Sequence, residues 1–175
     1  IFHLALLVWV LGRRKRINLE RALKIALVHD LCELYSPDLT SYDAVAIKEK
    51  GKLTLNNFLK LQPKLGRPNT AQRKKMERIK QKLESEAMKR ICSQLPPDLR
   101  KEMTNLWSEY EKGLTKEGRF VKQADKVINL LQGIIYWKKY GKIQHRLWIR
   151  RAMEILDDPI LLEFVRTLEN KFCQK

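Results

Sequence analysis

The sequence predicts an all-α protein, a single-domain helical bundle, and three observations carry that prediction. Seven Gly and six Pro are few for 175 residues, so helix breakers are sparse. Long stretches are rich in Leu, Lys, Glu, Arg and Ala, the residues that lose least on entering a helix. Runs of β-branched residues are few, and no stretch alternates apolar and polar with the period of a strand. The chain is long enough to bury a substantial core as one domain.

The elements follow in order. Residues 1 to 11 are nearly all apolar and form a first helix, with Gly12 as its stop. That run is short of the ~20 apolar residues of a membrane span. Its basic block, Arg13-Arg14-Lys15-Arg16, follows the apolar one, the reverse of a signal peptide. With Ile1 in place of an initiator Met, the expectation is a fragment that begins inside a buried helix. Asn18 caps a second helix from Leu19 to about Tyr35, with Glu20 in its first turn, and Ser36-Pro37-Asp38 ends it. From Leu39 to about Thr70, Gly51, Pro63, Gly66 and Pro68 punctuate an irregular loop with one short helix near Leu53 to Leu61. Thr70 caps a long helix through Ala71 to Leu95, broken by Pro96-Pro97. Asp98 caps the next, from Leu99 to about Gly113. A helix from about Glu117 to Tyr140 ends at Gly141, and Gln144 to Leu156 and Pro159 to Phe172 close the chain.

Charge is the unusual bulk property. The formal net charge is +16, and residues 44–90 hold fourteen Lys and Arg against four Glu. Such a field attracts anions: nucleic acid, nucleotides or an acidic surface. Three widely spaced cysteines, Cys32, Cys92 and Cys173, make neither a disulfide framework nor a zinc-finger spacing, which favours a reducing, cytoplasmic setting.

The chemistry is concentrated in Ala26-Leu27-Val28-His29-Asp30-Leu31-Cys32-Glu33. An imidazole and a carboxylate sit side by side in a segment that is otherwise apolar. Burying both costs free energy unless something pairs with them, and a divalent cation does so. On a continuous helix Ala26, His29, Asp30, Glu33 and Pro37 share one stripe, so His29 and Asp30 converge on one ion, and Glu33 lies one turn along, within reach of a water held there. Asp125, in the apolar stretch Phe120 to Ile128, is a second buried carboxylate of this kind. On the residues alone two readings stand: a metal site, or a core histidine satisfied by its neighbouring carboxylate with Asp125 in a surface cluster beside Lys122 and Lys126. Lys122 is either a base that neutralises a substrate phosphate or a surface lysine. His145 reads as a surface or capping residue, Cys32 as a packed thiol, and Trp107, Trp137 and Trp148 as core or dimer contacts.

The spacing His29-Asp30-x-x-Glu33-x-x-x-x-Asp38 resembles the HD-domain hydrolases, in particular their 5′-deoxynucleotidase branch. Glu117 to Lys126 is similar to that branch's downstream metal-Asp motif, and Glu86-Ala87-Met88 and Leu106 to Glu111 also resemble it. The likeness runs from about Ile1 to Tyr140. It implies a helical, often dimeric fold and a single divalent metal ion, Mn, Co, Mg or Zn not being distinguishable. It also implies phosphate release from (deoxy)nucleoside 5′-monophosphates. By position, His29, Asp30 and Asp125 are implied metal ligands, Glu33 the group that activates water, and Asp38 a group near the leaving 5′-oxygen or positioning the substrate.

Three departures bear on that reading. Leu4-Ala5 matches the family's apolar–small pair, which puts the first histidine ligand one residue before Ile1. The expectation is therefore a first ligand outside this chain, with His3, nearly a turn away, as the alternative. Pro37 stands where the family has Gly, which changes the loop that presents Asp38. Residues 43–78 form a basic insertion that closes over a phosphate or oligonucleotide, or is a solvated surface. No histidine lies between Leu31 and Ala124, and Leu34 follows Glu33. The former argues against two-metal HD phosphodiesterases and the latter against the alarmone-hydrolase pattern. The expected function is a metal-dependent phosphomonoesterase, and the alternative is a basic nucleic-acid-binding protein with a degenerate metal site.

Overall fold

The computed structural model describes residues 1–37, 69–141 and 145–173. Its described elements are α1 (Phe2–Gly12), α2 (Leu19–Val28), a 3-10 turn (Leu31–Leu34), α3 (Thr70–Cys92), α4 (Pro97–Lys112), α5 (Lys116–Tyr140), α6 (His145–Ile155) and α7 (Pro159–Phe172). No strand occurs among the described residues, so the fold is all-α as predicted. No described helix is long and apolar enough to cross a membrane. The chain divides into two compact units, residues 1–30 with 96–175, and residues 31–95.

The larger unit is organised around α5. This helix packs against α1, α2, α4, α6 and α7, while α1 lies on α2, α2 on α4 and α6 on α7. Its sequence explains the role: Phe120, Val121, Ala124, Val127, Leu130 and Ile134 are buried along it at helical spacing. α1 contributes Leu4, Leu7, Val8 and Leu11 to the core, α2 contributes Ala22, Ile25 and Ala26, and α7 contributes Leu161, Val165 and Leu168.

Helix ends follow local chemistry. Asn18 caps α2, its side chain accepting from the Arg21 amide at 3.0 Å. Thr115 caps α5 by accepting from the Gly118 amide at 3.0 Å. Asp158 caps α7, accepting from the amides of Ile160 (3.1 Å) and Leu161 (3.2 Å). Gly113 and Gly141 end α4 and α5 in the left-handed conformation, at φ +58° and +66°. Gly12 works differently. The helix ends on it without a positive φ, and a Cβ there would come within 2.9 Å of Leu19 and 3.5 Å of Phe120, so Gly12 lets α1 approach its neighbours closely.

Three sequence expectations are corrected. α2 stops at Val28 rather than running to Tyr35, and a 3-10 turn over Leu31–Leu34 follows. The unbroken stripe from Ala26 to Pro37 therefore does not exist, because the chain tightens after Asp30. Asp98 does not cap α4: Pro96 holds the cap position without a side-chain bond, Pro97 opens the helix, and Asp98 sits in the first turn. α3 ends at Cys92, and Gln94 and Leu95 then bond back three residues, to Ile91 and Cys92, as a tightened final turn does.

In the smaller unit the 3-10 turn packs on α3. Arg90 stacks its guanidinium 3.9 Å from the centre of the Tyr35 ring. Glu84, buried on α3, pairs with Lys80 one turn earlier at 3.4 Å. Asp38, the loop from Leu39 with its short helix near Leu53 to Leu61, and the basic insertion as far as residue 68 lie outside the described residues.

Candidate metal centre

His29 and Asp30 stand where α2 gives way to a turn. The His29 amide still bonds to the Ile25 carbonyl at 3.0 Å, and its ring turns back along the helix. Nδ1 lies 2.8 Å from the Ala26 carbonyl oxygen. A carbonyl can only accept, so Nδ1 carries the hydrogen and Nε2 is the ring atom that faces Asp30, 2.8 Å from its Oδ2. A lone-pair nitrogen and a carboxylate oxygen at that distance repel unless a positive species lies between them. A proton on the imidazole meets the need, and so does a cation. A histidine whose far nitrogen is fixed by a backbone carbonyl, beside a carboxylate, is the donor chemistry of a divalent metal site.

Burial sharpens the pairing. His29 is only 2% exposed, while the Asp30 side chain is 38% exposed and open to solvent. Burial alone pushes the His29 pKa down. The hydrogen bond and charge of Asp30, the Ala26 carbonyl and the charge of Asp125 outweigh it, and the net direction is upward. The local field therefore favours positive charge at this imidazole.

Tyr110 stands beside the pair. Its ring meets His29 edge-on, with ring centres 5.1 Å apart. Burial pushes the phenol pKa up and the charges of Asp125 and Asp30 push it further, so the hydroxyl keeps its proton. Asp125 is mostly buried, with 17% of its side chain exposed, and Lys126 pairs with it at 3.1 Å. Lys122 donates to the Glu111 carbonyl at 2.6 Å and lies 5.6 Å from the Tyr110 ring centre. Among the described residues no three His, Cys, Asp or Glu side chains close on one point. The arrangement is a contacting pair, His29 and Asp30, with Tyr110 edge-on to the imidazole and the charge of Asp125 acting on both rings.

The remaining candidates are placed as follows. Glu33 is exposed on the 3-10 turn of the smaller unit. Asp38 is not among the described residues. His3 is exposed on α1, its ring edge-on to Phe2. Cys32 is buried and outside any disulfide, as expected of a packed thiol.

Sequence reasoning missed Tyr110 as a participant. The available signal was the spacing of Leu106 and Tyr110, one turn apart and both buried on α4, which carries a phenol into an apolar interface. It also missed the clamp beside it. Arg21 of α2 makes a two-pronged ion pair with Glu109 of α4, one prong at 3.1 Å, and Thr115 donates to the same carboxylate at 3.0 Å. Glu117 of α5 accepts from the Asn18 amide at 2.8 Å. These bonds hold the start of α2 against α4 and α5, the helices that carry Tyr110 and Asp125.

Comparison with known proteins identifies the family. The HD domain family model matches residues 1–161. A mouse (Mus musculus) protein named 5'-deoxynucleotidase HDDC2 is 33% identical over 135 residues, 75% of this chain and 53% of that protein. Its human (Homo sapiens) counterpart is 30% identical over 146 residues, 83% and 54% of the two chains. The Schizosaccharomyces pombe protein named 5'-deoxynucleotidase hdd1 is 33% identical over 149 residues, 83% and 60%. The chain thus spans about half the length of the curated relatives it matches. HD-domain hydrolases generally use a divalent metal. With the family model covering most of its length and a His-Asp pair at the end of α2, the chain belongs to the HD-domain family.

Proposed function

We propose that this protein is a divalent-metal-dependent phosphohydrolase that releases phosphate from (deoxy)nucleoside 5′-monophosphates. The observation that carries the reading is the buried His29 Nε2 facing the Asp30 carboxylate at 2.8 Å, with the charge of Asp125 acting on the same imidazole. The names of the relatives supply the substrate class.

In this reading His29, Asp30 and Asp125 would hold one divalent ion, which would supply Lewis-acid polarisation of a phosphate oxygen and make a nearby water more acidic. The Ala26 carbonyl fixes the His29 ring so that Nε2 is presented. Lys122 supplies positive charge for the substrate phosphate. The family resemblance adds Glu33 as the base that takes a proton from the attacking water, and Asp38 near the leaving 5′-oxygen. The same resemblance supports one HD-type domain working as a homodimer, and the three buried cysteines outside any disulfide suit a cytoplasmic setting.

Phosphate release from dAMP with Mn²⁺ or Co²⁺ tests the reading. The wild-type protein is expected to turn over. Asp125→Ala is expected to fall on the order of 100-fold, the loss typical of a disrupted metal site, and Lys126→Ala to stay near wild type. Strongly salt-dependent binding of DNA or RNA with no phosphate release would overturn it in favour of a basic nucleic-acid-binding protein, to which the bases of residues 44–90 would then belong.

A further inference from the structure

A cavity in the larger unit shares no residue with the His29 cluster. It has a volume of about 370 Å³ and lies where the α1–α2 connection meets the first turns of α5 and α7. Five bases line it: Arg14, Lys15, Arg16, Lys116 and Arg119. Two carboxylates, Asp157 and Asp158, face them.

Both acids are already matched. Asp157 holds Arg119 and accepts from Gln123 Nε2 at 2.7 Å. Asp158 holds Lys15 while capping α7. Gln123 Oε1 accepts from the backbone amides of Asp157 (2.9 Å) and Asp158 (3.1 Å), which fixes this wall as one hydrogen-bonded frame. The positive excess then sits on three bases. Arg14 has only a loose contact with Glu163, at 3.7 Å with both side chains more than 60% exposed, and such a pair binds weakly. No carboxylate among the described residues stands within ion-pair distance of Arg16 or Lys116.

The size sets the ligand. At roughly 30 Å³ per water the cavity holds on the order of a dozen, more than one phosphate group displaces. It falls in the range of small-molecule sites. Ile17, Pro159 and Ile160 give it apolar wall beside the cations. We propose that this cavity binds an oligophosphate group, two or three linked phosphates, with Arg14, Arg16 and Lys116 as its cationic contacts. Arg14 and Arg16 engage phosphate oxygens in two-pronged fashion, and Lys116 acts as a point charge. The ligand is either free oligophosphate or the phosphate tail of a nucleotide.

Calorimetric titration of the wild-type protein with tripolyphosphate and with dATP, in EDTA, tests this. Saturable binding is expected for at least one probe, and tighter binding of dATP identifies the nucleotide as the source. Arg16→Glu/Lys116→Glu is expected to weaken it at least 10-fold, and the milder Arg16→Gln/Lys116→Gln to weaken it less while retaining the wild-type circular dichroism. Asp125→Ala is expected to bind as wild type, which separates this site from the proposed metal centre. Absence of saturable binding, or an equal loss in the charge-matched control Arg150→Glu/Arg151→Glu, would overturn the proposal.

Discussion

At the scale of single residues, Tyr110 is the side chain that most changes how the centre is understood. His29 and Asp30 are neighbours in sequence, so their contact needs only a local turn. Asp125 is far along the chain, and Tyr110, edge-on to His29, lies within the influence of its charge and of Asp30's. Tyr110→Phe removes the hydroxyl and leaves the ring against His29 in place. Under the proposed metal-binding role of His29, the expected result is metal affinity about 10-fold lower, the loss typical of a group next to the ligands. Metal titration by calorimetry reads this directly, and unchanged affinity would remove Tyr110 from the centre. His29 and Asp30 were legible in the sequence because polar residues in an apolar run demand a partner. Tyr110 was not, because a tyrosine at a buried helix position satisfies ordinary core packing equally well.

At the scale of elements, two glycines mark where α5 touches its neighbours. A Cβ on Gly118 would lie 2.4 Å from the Glu109 carbonyl oxygen and 2.8 Å from its carbon, both backbone atoms of α4. A Cβ on Gly133 would lie 2.5 Å from the Trp148 ring, a side chain that can swing. Alanine gains ~1 kcal/mol of helix propensity at either position. Overpacking against fixed backbone costs about 1–3 kcal/mol. Gly118→Ala is therefore expected to destabilise the protein, and Gly133→Ala to be near neutral. Urea unfolding checks the order, and equal midpoints for the two variants would contradict it. The existence of these helices was readable from apolar spacing and caps. The early end of α2 was not. The His29 ring bonding back to Ala26 and the switch to 3-10 geometry are competitions between side chain and backbone that a periodic pattern does not register.

For the molecule as a whole, acid stability follows from the Arg21–Glu109 clamp. The Arg21 guanidinium, and after it burial and the Thr115 hydroxyl, set the Glu109 carboxyl, with the net direction below the usual carboxylate range. A carboxyl whose pKa is lowered on folding contributes stability above its unfolded pKa, and loses it as pH falls through the folded value. Arg21 is 43% exposed on its side chain, so solvent screens the pair and the contribution is about 1 kcal/mol or less. Glu109→Gln should thus cost most near pH 7, with the gap to wild type closing as pH falls below the carboxylate range. A stability difference that stays constant with pH, followed by urea unfolding across that interval, would show that the clamp carries no linked proton.

The sequence by itself determined the all-α class, the helix cap at Asn18, the helix stop at Gly141 and the local His29-Asp30 pair. Each depends on residues a few positions apart, where spacing and side-chain chemistry suffice. Tertiary structure alone decided that α5 is the central helix and that Tyr110 meets His29 edge-on. It also decided that Arg14, Arg16 and Lys116 share a cavity with α7. Those facts depend on which faces of distant helices meet, and burial and shape complementarity across the folded chain select them, not any local pattern.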